Sequence, residues 1–196
     1  VRGRLAHEIA REGGMASALW SGRRRGGEPV RIKLDVEILD DERALSFHYK
    51  VEAGLRPPMA AGFAFEPQIK DEELKVDAGR PATMMKRKGP SISVRNAAGR
   101  MEEYPEQALT SETAIALLGD AGHYPEVGTF RRAVDGWRFF HGFRTDRDSP
   151  LRSPCLAVTA PMLDEDGSNL AAVFATLFHT RQDTVDLDRA IADAFG

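Results

Sequence analysis

The chain has a single cysteine, Cys155, among 196 residues. No disulfide can therefore form within it, and a reducing cytoplasm is the expected compartment. No apolar run approaches the roughly 20 residues that span a bilayer, so no membrane partner is expected. Arg2, Arg4, His7, Glu8 and Arg11 interrupt the stretch where a signal peptide would carry an apolar core. Neither sign of charge dominates: the formal net charge is −3, with 29% charged residues. Overall charge thus implies neither a nucleic-acid binder nor a membrane-surface protein, and any such role would need a local patch.

Complete catalytic constellations are missing as well. The glycine-rich loop SGRRRGGEP does not cradle phosphate, because Glu28 follows Gly27 where a P-loop places Lys-Ser or Lys-Thr. It reads as a solvated turn. The acidic run LDEDGSN fails as a calcium loop: counting from Asp164, the sixth position is Asn169 instead of glycine and the twelfth is Ala175 instead of glutamate. One cysteine and five scattered histidines (His7, His48, His123, His141, His179) offer no paired zinc spacing. His141, set among Phe139, Phe140 and Phe143, reads as a hydrogen-bonded core or strand-edge histidine before a general base.

The most informative stretch runs from Trp137 to Leu177. An aromatic, strand-like run (Trp137, Phe139, Phe140, Phe143) leads into a basic loop punctuated by proline, then an apolar run, then DGSN before an amphipathic helix. Asp166, Ser168 and Asn169 are candidate helix caps, since each side-chain oxygen can accept from first-turn amides. Leu170, Val173, Phe174 and Leu177 then fall at helical spacing.

Upstream, residues 2–12 read as a short helix ended by Gly13-Gly14. From Val30 to Val94 the period changes to two. Val30, Ile32, Leu34, Val36 and Ile38 alternate with Arg31, Lys33, Asp35 and Glu37, Asp40–Glu42 makes a turn, and Leu45, Phe47, Tyr49 and Val51 alternate back. Further strands are predicted over 63–65 with 69–76, 83–88 and 91–95, giving four to six antiparallel strands with one polar face. Helical signals return after Pro105: Thr110 or Ser111 caps a helix through Ile115 and Leu118, Pro125 opens the next, and a last helix covers 186–195. The predicted class is α+β, an antiparallel β-meander subdomain followed by a helical portion. The expected division is 1–104, the N-terminal helix and antiparallel subdomain, and 105–196, the helical portion with one aromatic strand.

Four basic groups stand out against the balanced background: Arg23-Arg24-Arg25, Lys86-Arg87-Lys88, Arg131-Arg132, and the set Arg138, Arg144, Arg147 and Arg152. Scattered solvated charge is the simpler reading. The alternative is a non-catalytic module holding nucleic acid or protein. Arg23, Arg24, Arg25, Arg144 and Arg152 are its candidate phosphate contacts, and the aromatics near Trp137 could stack on bases. Arg144 and Arg152 flank Pro150 in a loop, a common setting for functional groups.

The order of features resembles the bacterial RecF/SMC-like, ABC-type P-loop ATPases, a family also labelled AAA-family ATPases. The resemblance rests on REGGMASALWSGRR at 11–24, EELKVDAGRP at 72–81, KRKGPSISVRNAAGR at 86–100, WRFFHGFRTDRDSPLRSP at 137–154 and LDEDGSNLAAVFATL at 163–177. It implies an antiparallel β-subdomain and the start of a helical lobe, as in part of an ABC-type ATPase head. In the family, Walker A lies just upstream of the matching segment, and the signature and Walker B motifs lie downstream; none is present here. ATP and Mg are thus the cofactors implied for an intact member, with none expected for this chain alone and no catalytic residue carried over. The implied partners are the remainder of the ATPase domain or a second copy, with DNA a candidate for the parent. The opening valine and the closing Ala194-Phe195-Gly196 fit the expectation of a segment from a longer protein.

Overall fold

A computed structural model of the chain describes residues 5–19, 22, 30–41, 43–55, 66–105, 111–181 and 185–195. Two compact units result, Val1–Gly136 and Trp137–Gly196. The division falls after Gly136, later than the boundary near residue 104 read from the sequence. Helices beyond 104 supply part of the sheet's own core and so belong with it.

The first unit is an antiparallel meander. Strands β1 (Arg31–Asp40), β2 (Leu45–Gly54), β3 (Gln68–Asp77), β4 (Pro81–Lys88), β5 (Ser91–Arg95) and β6 (Met101–Glu103) follow one another in sequence order across a single sheet. Alternation sets the two faces, because successive side chains of a strand point to opposite sides. The inner face carries Phe47, Tyr49 and Val51 from β2, Leu74 and Val76 from β3, Met85 from β4, and Ile92 and Val94 from β5, all buried. Register keeps them in rows: Phe47 lies opposite Val76, Tyr49 opposite Leu74, Leu74 opposite Met85, and Met85 opposite Val94.

Two irregularities break the strict alternation. Glu52 pairs with Asp71 but Ala53 with Ile69, and Leu74 pairs with Met85 but Lys75 with Thr83, so Lys70 and Met84 are extra residues in their strands. A bulge of this kind resets the face on which the following side chains emerge. In β4 the result is the consecutive buried pair Met84 and Met85, and in β3 the consecutive half-buried pair Lys70 and Asp71.

The outer face is polar, and charge alternates along it. Asp35, Lys50, Glu73 and Lys86 stand opposite one another on four successive strands, with Lys50 Nζ 2.9 Å from Asp35 Oδ2. Arg31 and Lys33 both reach Glu52. Exposed pairs of this kind are screened by solvent and contribute little; the more important effect is that water, not a second layer, is the natural neighbour of this face.

Helices cover the inner face. These are α1 (Leu5–Arg11), α2 (Gly14–Ala18), α3 (Ala114–Leu117) and α4 (Pro125–Asp135). Ile9, Met15, Ala114, Ile115, Leu118, Val127 and Phe130 join the sheet residues in one apolar cluster. Phe130 is buried against the sheet, its ring centroid 5.9 Å from that of Phe47 and 5.1 Å from that of Tyr49, both tilted. Pro125 stands in the first turn of α4, where its missing N–H costs nothing.

The turn between β5 and β6 is fastened by polar groups. Asn96 Oδ1 accepts from the amides of Ala98 and Arg100, while its amide donates to Glu102 Oε2 at 2.7 Å. His123 Nε2 lies 2.6 Å from the other oxygen of Glu102. The bonds from Asn96 and His123 hold the Glu102 carboxyl below its usual value of 4.5. Because the folded-state value is depressed, this contribution is present at neutral pH and is lost as pH falls through that lowered value. The melting temperature of Glu102→Gln is therefore expected below that of the parent near neutrality. The gap should close below pH 4.5; a gap that persisted in acid would contradict this account.

The second unit holds α5 (Leu170–Arg181) and α6 (Val185–Phe195) after a long loop. Thr176 ties loop to helix: its hydroxyl accepts from the amide of Ala160 at 2.9 Å and donates to Ala172 O. Among the described residues no helix is long and apolar enough to cross a membrane.

Candidate functional site

The loop of 137–169 was the strongest sequence candidate, and its structure differs from the expectation in one respect. Trp137, Phe139, Phe140 and Phe143 do not form a strand. Their apolar spacing suits a pleated edge, but strand structure needs a partner for its amides, and the second unit has no strand among its described residues. The rings instead pair edge to face, Trp137 with Phe139 at 6.2 Å and Phe140 with Phe143 at 6.1 Å, and all four remain exposed. His141, between them, is exposed too, so it is neither a core nor a strand-edge histidine.

Arg144 and Arg152 do come together, around Asp146. Arg144 grips the carboxylate with two bonds, Nε to Oδ2 at 2.8 Å and Nη2 to Oδ1 at 2.7 Å. Arg152 donates to the backbone carbonyls of Asp146 and Thr145. The Arg144 bond holds the Asp146 carboxyl below its ordinary range, and Asp146 in turn raises Arg144. Ser149, fully buried, closes the clasp: its hydroxyl donates to Arg144 O and accepts from the Leu151 amide, capping a 3-10 turn over Pro150–Arg152. A phosphate at Arg144 would have to compete with a bidentate carboxylate already in place. The arrangement fastens a loop.

Past the clasp, Asp166 accepts from the Ser168 amide at 3.0 Å, and this amide, with the Ser168 hydroxyl, keeps its carboxyl below the usual range. Asn169 turns back from α5, accepting from the Asp164 amide and donating to Met162 O. Gly167, at φ +72°, lies between them with Leu151 and Phe143 against it. A Cβ there would meet Leu151 Cδ2 at 2.5 Å and Phe143 Cε2 at 2.8 Å, so both the backbone and the space require glycine. Arg23, Arg24 and Arg25 lie outside the described residues.

Of the other basic groups, Lys86-Arg87-Lys88 is not one patch. Strand period two sends Lys86 and Lys88 outward and Arg87 into the core, where it is fully buried. Arg131 lies 3.6 Å from Asp135 and donates to Ala116 O, and Arg132 donates to Thr129 Oγ1.

Arg87 leads to a buried polar cluster. Directly opposite it on β3 is Glu72, also fully buried, with Arg87 Nη1 3.8 Å from its Oε2. Tyr49 Oη donates to Glu72 Oε1 at 2.8 Å. The amide of Ala114 donates to Oε2 at 2.6 Å and that of Ile115 to Oε1 at 3.2 Å. Arg87 further donates to the carbonyls of Gly89 and Glu112. Glu72 thus does for α3 what a capping side chain normally does from the adjacent position. Thr113, which occupies that position, makes no side-chain cap, and its buried hydroxyl has no hydrogen bond among the described residues. Burial pushes the Glu72 carboxyl up, against the opposing pull of its three hydrogen-bond donors and the Arg87 charge, and pulls Arg87 down. Burial and the nearby carboxylate push Tyr49 well up. The cluster is enclosed and internally satisfied, which suits a structural role.

The described residues provide no glycine loop followed by lysine and a hydroxyl, and no group of three or more metal-capable side chains. No family model, curated protein or solved structure matches this chain.

Proposed function

We propose that the chain is the antiparallel β-subdomain and the beginning of the helical lobe of a RecF/SMC-like, ABC-type P-loop ATPase. It does not hydrolyse ATP by itself. The order of motifs suggests the family. The structural observation that supports an incomplete working unit is the state of residues 137–196: among those described, the only buried apolar side chains are Ala160 and Ala172. The same segment exposes Trp137, Phe139, Phe140, Leu156, Val158 and Phe178. An apolar set of this size is normally covered by further polypeptide, and the remainder of an ATPase head is the cover this reading supplies. The parent's ATP cycle would then do work on DNA or on a protein partner.

Two proteins decide the matter: the 196-residue chain, and the same chain extended at both ends by its flanking genomic sequence. Both are assayed for ATP binding and hydrolysis with magnesium. Turnover is expected in the extended form alone. Turnover in the short form, or silence in both, would overturn the reading; salt-dependent DNA binding by a silent chain would favour the non-catalytic binding module instead.

A further inference from the structure

The two edges of the sheet are unequal. β6 is only three residues long, the kind of short edge that cannot template another strand. β1 is ten residues long, contains no proline, and pairs with β2 without a register shift. Among the described residues nothing pairs with its other side. Positions 32, 34, 36 and 38 of β1 bring only apolar side chains to the inner face; the one charged residue in that row, Asp40, is at the strand's end and is bound by Arg43. Leu34, which does point there, is 51% exposed although its neighbours on β2 are buried.

We infer that β1 pairs antiparallel with β1 of a second copy of this chain, about a twofold axis at Leu34, joining two six-stranded sheets into one. The charge pattern selects this register. With Leu34 opposite Leu34, Arg31 faces Glu37 and Lys33 faces Asp35, each twice by symmetry, while Ile32 faces Val36 on the apolar side. Every neighbouring register that keeps the faces matched is poorer, with fewer opposite-charge pairs and at least one like-charge pair. Moving the axis one residue toward the C-terminus puts Asp35 against Asp35, and one further puts Asp35 against Glu37. Moving it one residue the other way puts Lys33 against Lys33. Intermediate shifts place apolar residues on the polar face. Like charges directly opposite destabilise a strand pair, and opposite ones support it. All four charged side chains are exposed on the outer face, within reach of a neighbouring strand. The uncovered Leu34 would gain an apolar partner.

Disulfide trapping reads this register directly. Opposed residues of an antiparallel pair have Cα atoms about 4.5–5.5 Å apart, within the span of a disulfide. In a full-length Cys155→Ser background, Leu34→Cys should form a covalent dimer on mild oxidation. Ile32→Cys should not, since its own copy would lie about 13 Å away along the strand. Sedimentation of the unmodified chain should give twice 21.6 kDa. Lys33→Glu should weaken dimerisation about tenfold, and adding Asp35→Lys should restore it. Circular dichroism of each variant checks that the sheet is intact. A monomeric unmodified chain would overturn the inference, as would equal crosslinking at positions 32 and 34. Because the trap reports one strand register, it also separates this pairing from association through residues 137–196, and ATP plays no part in it.

Discussion

Glu72→Ala should destabilise the sheet unit by about 3–5 kcal/mol. The substitution strands Arg87, fully buried, without its counter-charge. It also leaves the amides of Ala114 and Ile115 without an acceptor and removes the partner of Tyr49 Oη. Each buried donor so orphaned costs about 1–3 kcal/mol, and the losses overlap because they share one carboxylate. Urea unfolding followed by far-UV circular dichroism reads the loss. Glu72→Gln is the sharper comparison: it keeps the shape, but its amide nitrogen must face donors on every side. Removing both charges, as Glu72→Leu with Arg87→Met, should cost less than the sum of the single changes, because neither partner is left charged and alone. Strict additivity would mean that the two residues do not act as a pair.

Phe130→Ala should cost about 3–5 kcal/mol. The ring is 1% exposed and lies against both Phe47 and Tyr49, so truncation opens a cavity between α4 and the sheet that neither wall can easily fill. Phe130→Leu should cost markedly less. Beyond stability, the pair tests the division of the chain. If α4 belonged to a separate helical portion beginning near residue 105, losing Phe130 would leave the unfolding of the sheet unchanged. A shift of the sheet transition in Phe130→Ala, measured by the same urea titration, is the expected outcome.

The sheet was legible in the sequence wherever one face is wet and the other dry. β1 and β2 alternate without interruption, and the turn at Asp40 is marked by its acidic residues. From β3 onward the extra residues Lys70 and Met84 shift the phase, and local pattern no longer says which side a residue takes. Glu72 was hidden for a different reason. In the run Asp71-Glu72-Glu73-Leu74 it looks like one more solvated acid, and the groups that justify its burial come from β2, β4 and α3. Arg87 carried a usable signal: it lies two residues from Met85, so strand period alone assigns it to the inner face. Grouping it with Lys86 and Lys88 as a basic patch overlooked that. The aromatic run after Trp137 failed the other way, since alternation shows what a strand would look like but not whether another strand stands beside it. Arg144 and Arg152 stood out in the sequence only as basic residues flanking Pro150 in a loop; their shared anchor at Asp146 is a matter of side-chain geometry.

The acceptor that Glu72 provides to α3 also orders the assembly of the fold in time. A helix of four residues cannot sustain itself, because nucleation fixes several dihedrals for a single hydrogen bond. Its acceptor lies 42 residues earlier in the chain and faces the helix only once β3 has found β2 and β4. The sheet must therefore assemble first and the turn of helix afterwards, as a latch closing on a finished frame. Damage to Glu72 should then speed unfolding more than it slows folding.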